Sequence, residues 1–174
     1  MKRKTTSVIF LSLFFLGKGF SQPGQLVEGK IKRVLAGDIY KLEYKGAIVQ
    51  TRLIGVNLPR EQKIKTASQE YYYNPQQAQQ ARIFATQRLT PGQKVYLEFD
   101  RMERDREGYL LVYLWLDREG KEMFNEILLR EGYGRLLLRP PNLKYEKQLT
   151  EAYEEARKLG RGIWEKEEKK KQLP

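Results

Sequence analysis

Neither cysteine nor histidine occurs in this 174-residue chain. Without thiols there is no disulfide, no zinc-thiolate centre and no cysteine nucleophile. Without imidazole the commonest general base and metal ligand is missing. Any chemistry therefore falls to carboxylates, arginines, tyrosines and a hard cation held by oxygen. Long apolar runs are also scarce. The run Val8 to Leu16 is roughly half of the ~20 residues that a transmembrane helix needs, so no span is expected in the mature chain. Lys2, Arg3 and Lys4 precede this run, and Gly19-Phe20-Ser21 follows it with small residues at the −3 and −1 positions of a cut. Residues 1–21 are thus expected to be a secretory signal peptide, which would send the protein outside the cytoplasm, secreted or periplasmic. The alternative is an uncleaved N-terminal anchor.

Acidic residues are outnumbered, 22 against 33 lysines and arginines, for a net charge of +11. Four of the cations precede the expected cut, so a chain beginning at Gln22 keeps +7. Such a surface favours polyanions, whether nucleic acid, acidic lipid or acidic polysaccharide, although a merely solvated basic surface is the plain alternative. With 40% hydrophobic and 32% charged residues, the length suits one soluble domain with one core. That domain is expected over 22–164, with 165–174 as a charged, solvated tail.

Leu26 to Val34 is rich in β-formers, and Ile39 to Tyr44 alternates, with Tyr40 and Leu42 on one face. Lys45-Gly46 then punctuates the pattern before Ala47 to Ile54 resumes it, so a three-stranded meander is predicted. Pro75 opens a helix over Gln76 to Leu89, closed by Pro91-Gly92. Lys94 to Phe99 and Tyr109 to Leu116 read as strands, and Met123 to Arg130 and Leu143 to Leu159 as helices ended by Gly132 and Gly160. The order βββαββαα fits an α+β, mainly β, five-stranded barrel of the OB type with three helices, rather than a sandwich with more strands. Trp115 and Trp164 are read as core or core-edge residues.

Five blocks in order resemble the thermonuclease (staphylococcal-nuclease-like) family. They are Gly29 to Asp38, Thr51 to Pro59, Asp105 to Trp115, Asn125 to Arg135, and Gly162-Ile163-Trp164. The resemblance implies the same OB barrel and a calcium-dependent phosphodiesterase site. Such a site needs a hard cation on the phosphate, a carboxylate to activate water and guanidinium groups to hold the developing charge.

The family pattern implies calcium-binding carboxylates on both sides of the turn glycine. Here Ala36 precedes Gly37, and only Asp38 follows it. A further ligand is implied where Asn57 stands, so Asp38 and Asn57 would form a weak or vestigial calcium site, with calcium the one cofactor the resemblance suggests. The water-activating glutamate would follow Pro59, where this chain has Arg60, which cannot act as a base. Glu61 is one residue off, and a ~1 Å misplacement costs on the order of 100-fold in rate. Of two implied arginines Arg52 is present, and Tyr109 takes the place of the other, with Arg104 and Arg106 nearby.

The candidate catalytic residues are therefore Arg52 and Glu61, and the candidate nucleic-acid contacts are Arg52, Arg104, Arg106, Tyr109 and Arg135. Arg139 and Lys144 could meet phosphates or simply be solvated, and Tyr71-Tyr72-Tyr73 could stack bases or cover the barrel mouth. Asp38 could cap its own turn, and Arg52 could sit in a salt bridge or spread over Tyr40. Three functions remain open: a secreted module that binds nucleic acid or another polyanion with nuclease activity weak or lost, an altered but active calcium-dependent endonuclease, and an extracytoplasmic protein-interaction module.

Overall fold

A computed structural model describes residues 25–62 and 73–165. The expected signal peptide at 1–21, Tyr71, Tyr72 and nearly all of the expected tail lie outside these residues.

β1 (Val27–Ala36), β2 (Ile39–Tyr44) and β3 (Ala47–Leu53) form the predicted meander, and β5 (Lys94–Glu98) and β6 (Leu110–Trp115) close it into a barrel of order β1-β2-β3-β6-β5. All neighbours run antiparallel except β3 and β6, which pair in parallel. Closure asks β1 to pair with β2 along one stretch and with β5 along another. Register shifts between Ile31 and Arg33 and between Val34 and Ala36 accompany that double duty, as bulges bend a strand and sharpen its twist. The face read from sequence at Tyr40 and Leu42 is fully buried inside, together with Ile31, Val95, Leu97, Val112 and Leu114, while β6 does not alternate, because Tyr113 and Trp115 are buried too.

α1 (Pro75–Arg88) starts at Asn74, whose side-chain oxygen accepts from the Gln77 amide at 3.1 Å. It buries only alanines, Ala78, Ala81 and Ala85, and so lies close against the β1–β2 turn. A Cβ on Gly37 would come within 2.3 Å of Leu58 and 3.0 Å of Ala81. This is why the turn carries glycine there.

Two short strands were not anticipated. The expected strand Ala47 to Ile54 stops at Leu53, and Gly55, at φ +80°, redirects the chain into β4 (Gly55–Asn57), which pairs with β7 (Arg135–Leu137). Three residues are too few to show alternation, and the leucine run at 136–138 has none.

α2 (Phe124–Arg130) seats Asn125 in the core with no exposure. Its amide donates to the carbonyls of Ile54 and Val112 at 2.8 and 3.2 Å, and its carbonyl accepts from the Leu114 amide at 2.9 Å. This one side chain joins the end of β3 to β6.

α3 (Glu146–Lys158) begins three residues later than the pattern suggested. The preceding residues are committed to the barrel: the Lys144 amide donates to Asp100 at 3.0 Å, and Tyr145 donates its hydroxyl to Glu98 at 2.9 Å. Glu98, 1% exposed, also accepts from the Trp115 indole at 2.9 Å and from the Lys144 ammonium. Asn142 clasps the backbone of Met102 with two bonds of 2.7 Å. These contacts fix the 139–145 segment beside the barrel mouth. Trp115, part of the core cluster, and Trp164 are each 5% exposed, in keeping with the reading of core or core-edge residues.

Candidate nucleic-acid interface

A cavity of about 620 Å³ opens between the β1–β2 turn, the β3–β4 junction, the 102–107 loop and the pinned 139–142 segment. Its lining combines apolar Leu53, Val56 and Leu111 with the guanidiniums of Arg52, Arg104, Arg106 and Arg139 and the carboxylates of Asp38, Asp105 and Glu107. The guanidiniums outnumber the carboxylates by one, and the apolar part of the wall strengthens their attraction for a phosphate.

Arg52 leaves β3 into this cavity. One terminal nitrogen donates to Asp105 at 2.5 Å and to Glu107 at 2.6 Å, and the guanidinium lies 4.1 Å from the centroid of the Tyr109 ring. It spreads over Tyr109 rather than Tyr40, whose buried hydroxyl donates to the Gly37 carbonyl. Burial first, then the charge of Asp38, pushes the Tyr40 hydroxyl well above its ordinary range, with Arg60 acting the other way.

Asp105 is held by its own turn, accepting from the amides of Glu107 and Tyr109 at 3.1 and 2.9 Å. Glu107 has more freedom, its side chain being 29% exposed against 16% for Asp105. Arg104 donates to the Gly108 carbonyl at 2.7 Å and braces the same turn.

Asp38 does not cap its own turn. Both of its oxygens accept from Arg60, at 2.8 Å each, and the same Arg60 nitrogen that meets Oδ1 also donates to the Leu58 carbonyl at 3.2 Å. The pair is buried, with Asp38 1% and Arg60 6% exposed. The residues do not fit a calcium site: the carboxylate and carbonyl oxygens at this turn are already taken by a guanidinium. No cluster of three or more potential acidic ligands is found among the described residues.

Asn57 stands opposite Arg135 in the β4–β7 pair. Glu61 is exposed, pairs with Arg82 of α1 at 3.2 Å and is not part of the cavity wall. Arg135 lies 5.6 Å from the Trp164 ring centroid and likewise does not line the cavity. Lys144 is engaged with Glu98, while Tyr73 is exposed. The cavity thus brings together Asp38, Arg52, Arg104 and Arg106, with Tyr109 stacked on Arg52.

Sequence reading missed Asp105 and Glu107 as the anions on Arg52, and Arg60 as the partner of Asp38. The turn signal Asp105-Arg106-Glu107-Gly108 was visible, but nothing local says that it faces β3.

A closed five-stranded barrel of order β1-β2-β3-β6-β5 with three α-helices defines an OB-fold domain. The family model described as staphylococcal nuclease homologue matches residues 50–166. A thermonuclease of Staphylococcus hyicus is 40% identical over 135 residues, covering 78% of this chain and 74% of that protein. A thermonuclease of Staphylococcus intermedius is 36% identical over 95% of this chain and all of its own length. Endonuclease YncB of Bacillus subtilis (strain 168) is 31% identical over 82% of this chain and 64% of its own. The chain belongs to the staphylococcal nuclease family.

Proposed function

We propose that this domain binds nucleic acid at the cavity that Arg52, Arg104 and Arg106 help to line, and that its phosphodiester cleavage is weak or lost. The observation that carries this reading is Arg60. It stands after Pro59, where the family resemblance implies the water-activating glutamate, and it engages Asp38 with both terminal nitrogens. A guanidinium stays protonated and cannot take a proton from water. Losing a general base and one charge-stabilising arginine removes ~10²-fold or more each, so turnover falls by several orders of magnitude while charge attraction survives. Arg52 supplies the remaining guanidinium, and the Tyr109 ring stacked on it offers a face for a base. The relatives named thermonuclease and endonuclease support a nucleic-acid ligand.

Residues 1–21 act as an export signal in this reading, leaving a mature chain from Gln22 outside the cytoplasm. No helix among the described residues is long and apolar enough to cross a membrane.

The test incubates the mature protein with labelled single- and double-stranded nucleic acid, with and without calcium, and scores retention and cleavage separately. Retention that falls steeply with salt, with little cleavage, is expected. Strong calcium-dependent cleavage abolished by Arg52→Ala or Glu61→Gln would reinstate the enzyme. Restoring Ala36→Asp, Asn57→Asp, Arg60→Glu and Tyr109→Arg together is expected to raise cleavage sharply.

A further inference from the structure

We infer that Arg60 is a tethered cation that takes the place of a divalent metal at Asp38, so that the domain neither binds calcium there nor depends on divalent ions for its stability. This deepens the reading above by stating how the site is charged. It rests on that reading only in taking the cavity as the ligand site.

Calcium needs six to eight oxygen ligands at about 2.3–2.6 Å. The Arg60 guanidinium lies 2.8 Å from each Asp38 oxygen and 3.2 Å from the Leu58 carbonyl. An ion at bonding distance from Asp38 would overlap the guanidinium nitrogens and share a buried space with a second positive charge. Ala36 adds no carboxylate, and Asn57 adds no charge. The guanidinium also makes the connection a bridging metal would make, joining the β1–β2 turn to the loop after β4. Burial at 6% exposure and a second anchor at the backbone, where the Asn74 amide donates to the Arg60 carbonyl at 3.2 Å, keep it in place. Its charge is permanent at any physiological pH.

The test is a calcium titration of the mature protein followed by melting temperature and by calorimetry, with no nucleic acid present. For the unmodified protein no change in melting temperature and no binding heat are expected up to ~10 mM calcium. Arg60→Glu removes the cation and adds a carboxylate beside Asp38. This variant is expected to melt lower without calcium and to rise by about 5 °C or more when calcium reaches a hundred times its dissociation constant. Should Arg60→Glu not fold, Arg60→Gln takes its place, with a smaller rise expected. A calcium response in the unmodified protein equal to that of the variant overturns the inference, and so does a folded variant with no calcium response. Failure to retain nucleic acid would sink the proposed function without touching this readout.

Discussion

Arg60 meets Asp38 end-on, two parallel hydrogen bonds of 2.8 Å joining residues that are 22 positions apart and both nearly sealed from water. Desolvating two charges is expensive, and the paired geometry offsets that cost only while both partners are present. The pair is therefore a strut for the loop that follows β4 and, at the same time, the reason that Asp38 is not free for a metal.

Removing either partner alone is expected to cost about 3–5 kcal/mol of folding stability, because the other charge stays buried without its counter-ion. Arg60→Met and Asp38→Asn should each lower the urea midpoint. The double variant should lose less than the sum, with a coupling of about 1–3 kcal/mol. Strict additivity would show that the pair is not energetically linked.

Arg52 is shared between Asp105 and Glu107, the anions that a bound phosphate would displace. Arg52→Ala is expected to weaken binding of a short oligonucleotide about 10- to 100-fold, the worth of a charge-assisted hydrogen bond. Glu107→Gln should strengthen it about two- to fivefold by removing one competitor, whereas Asp105→Asn should also disturb the 105–108 turn. Fluorescence anisotropy distinguishes these outcomes, and weaker binding by Glu107→Gln would contradict the competition.

Arg104 and Arg106 line the cavity. If each meets a phosphate, its replacement by alanine should weaken binding of all sequences alike and reduce the slope of log affinity against log salt by about one. An unchanged slope would remove that residue from the interface.

Tyr40 and Tyr145 both have hydroxyls raised above the ordinary tyrosine range, chiefly by burial, as does Tyr113, where Asp100 adds to the effect. A raised folded value means that the unfolded chain ionises first. The stabilisation is complete below the unfolded value of about 10 and is lost as pH rises through the folded values, at up to ~1.4 kcal/mol per pH unit for Tyr40 and less for the more solvent-screened Tyr113 and Tyr145. Chemical denaturation between pH 8 and 11 should show this decline, and it should be shallower in Tyr113→Phe. An equal slope in that variant would count against the assignment.

Asn125 satisfies three backbone groups from inside the core. Asn125→Leu keeps most of the volume but leaves those groups without their partner, and is expected to cost about 2–5 kcal/mol. A loss under ~1 kcal/mol would mean that water or a backbone shift replaces the side chain.

The barrel and its helices are legible in the order of the residues. Alternation at Tyr40 and Leu42, the Lys45-Gly46 break and the Asn74-Pro75 helix start are local signals, set by strand pleat, turn geometry and capping. Beside the family resemblance, Ala36, Arg60 and Tyr109 stand where it implies a carboxylate, a base and an arginine, roles that their side chains do not fill. What those residues do instead depends on contacts between segments far apart in the chain. The β4–β7 pair depends on a partner about 80 residues away, and the cap on Asp38 depends on the loop after β4 folding back over the β1–β2 turn. Glu107 reaches Arg52 only because β3 and β6 run side by side. Each of these is a contact between distant segments whose energy comes from burial and charge pairing, and neither quantity exists until the barrel has closed.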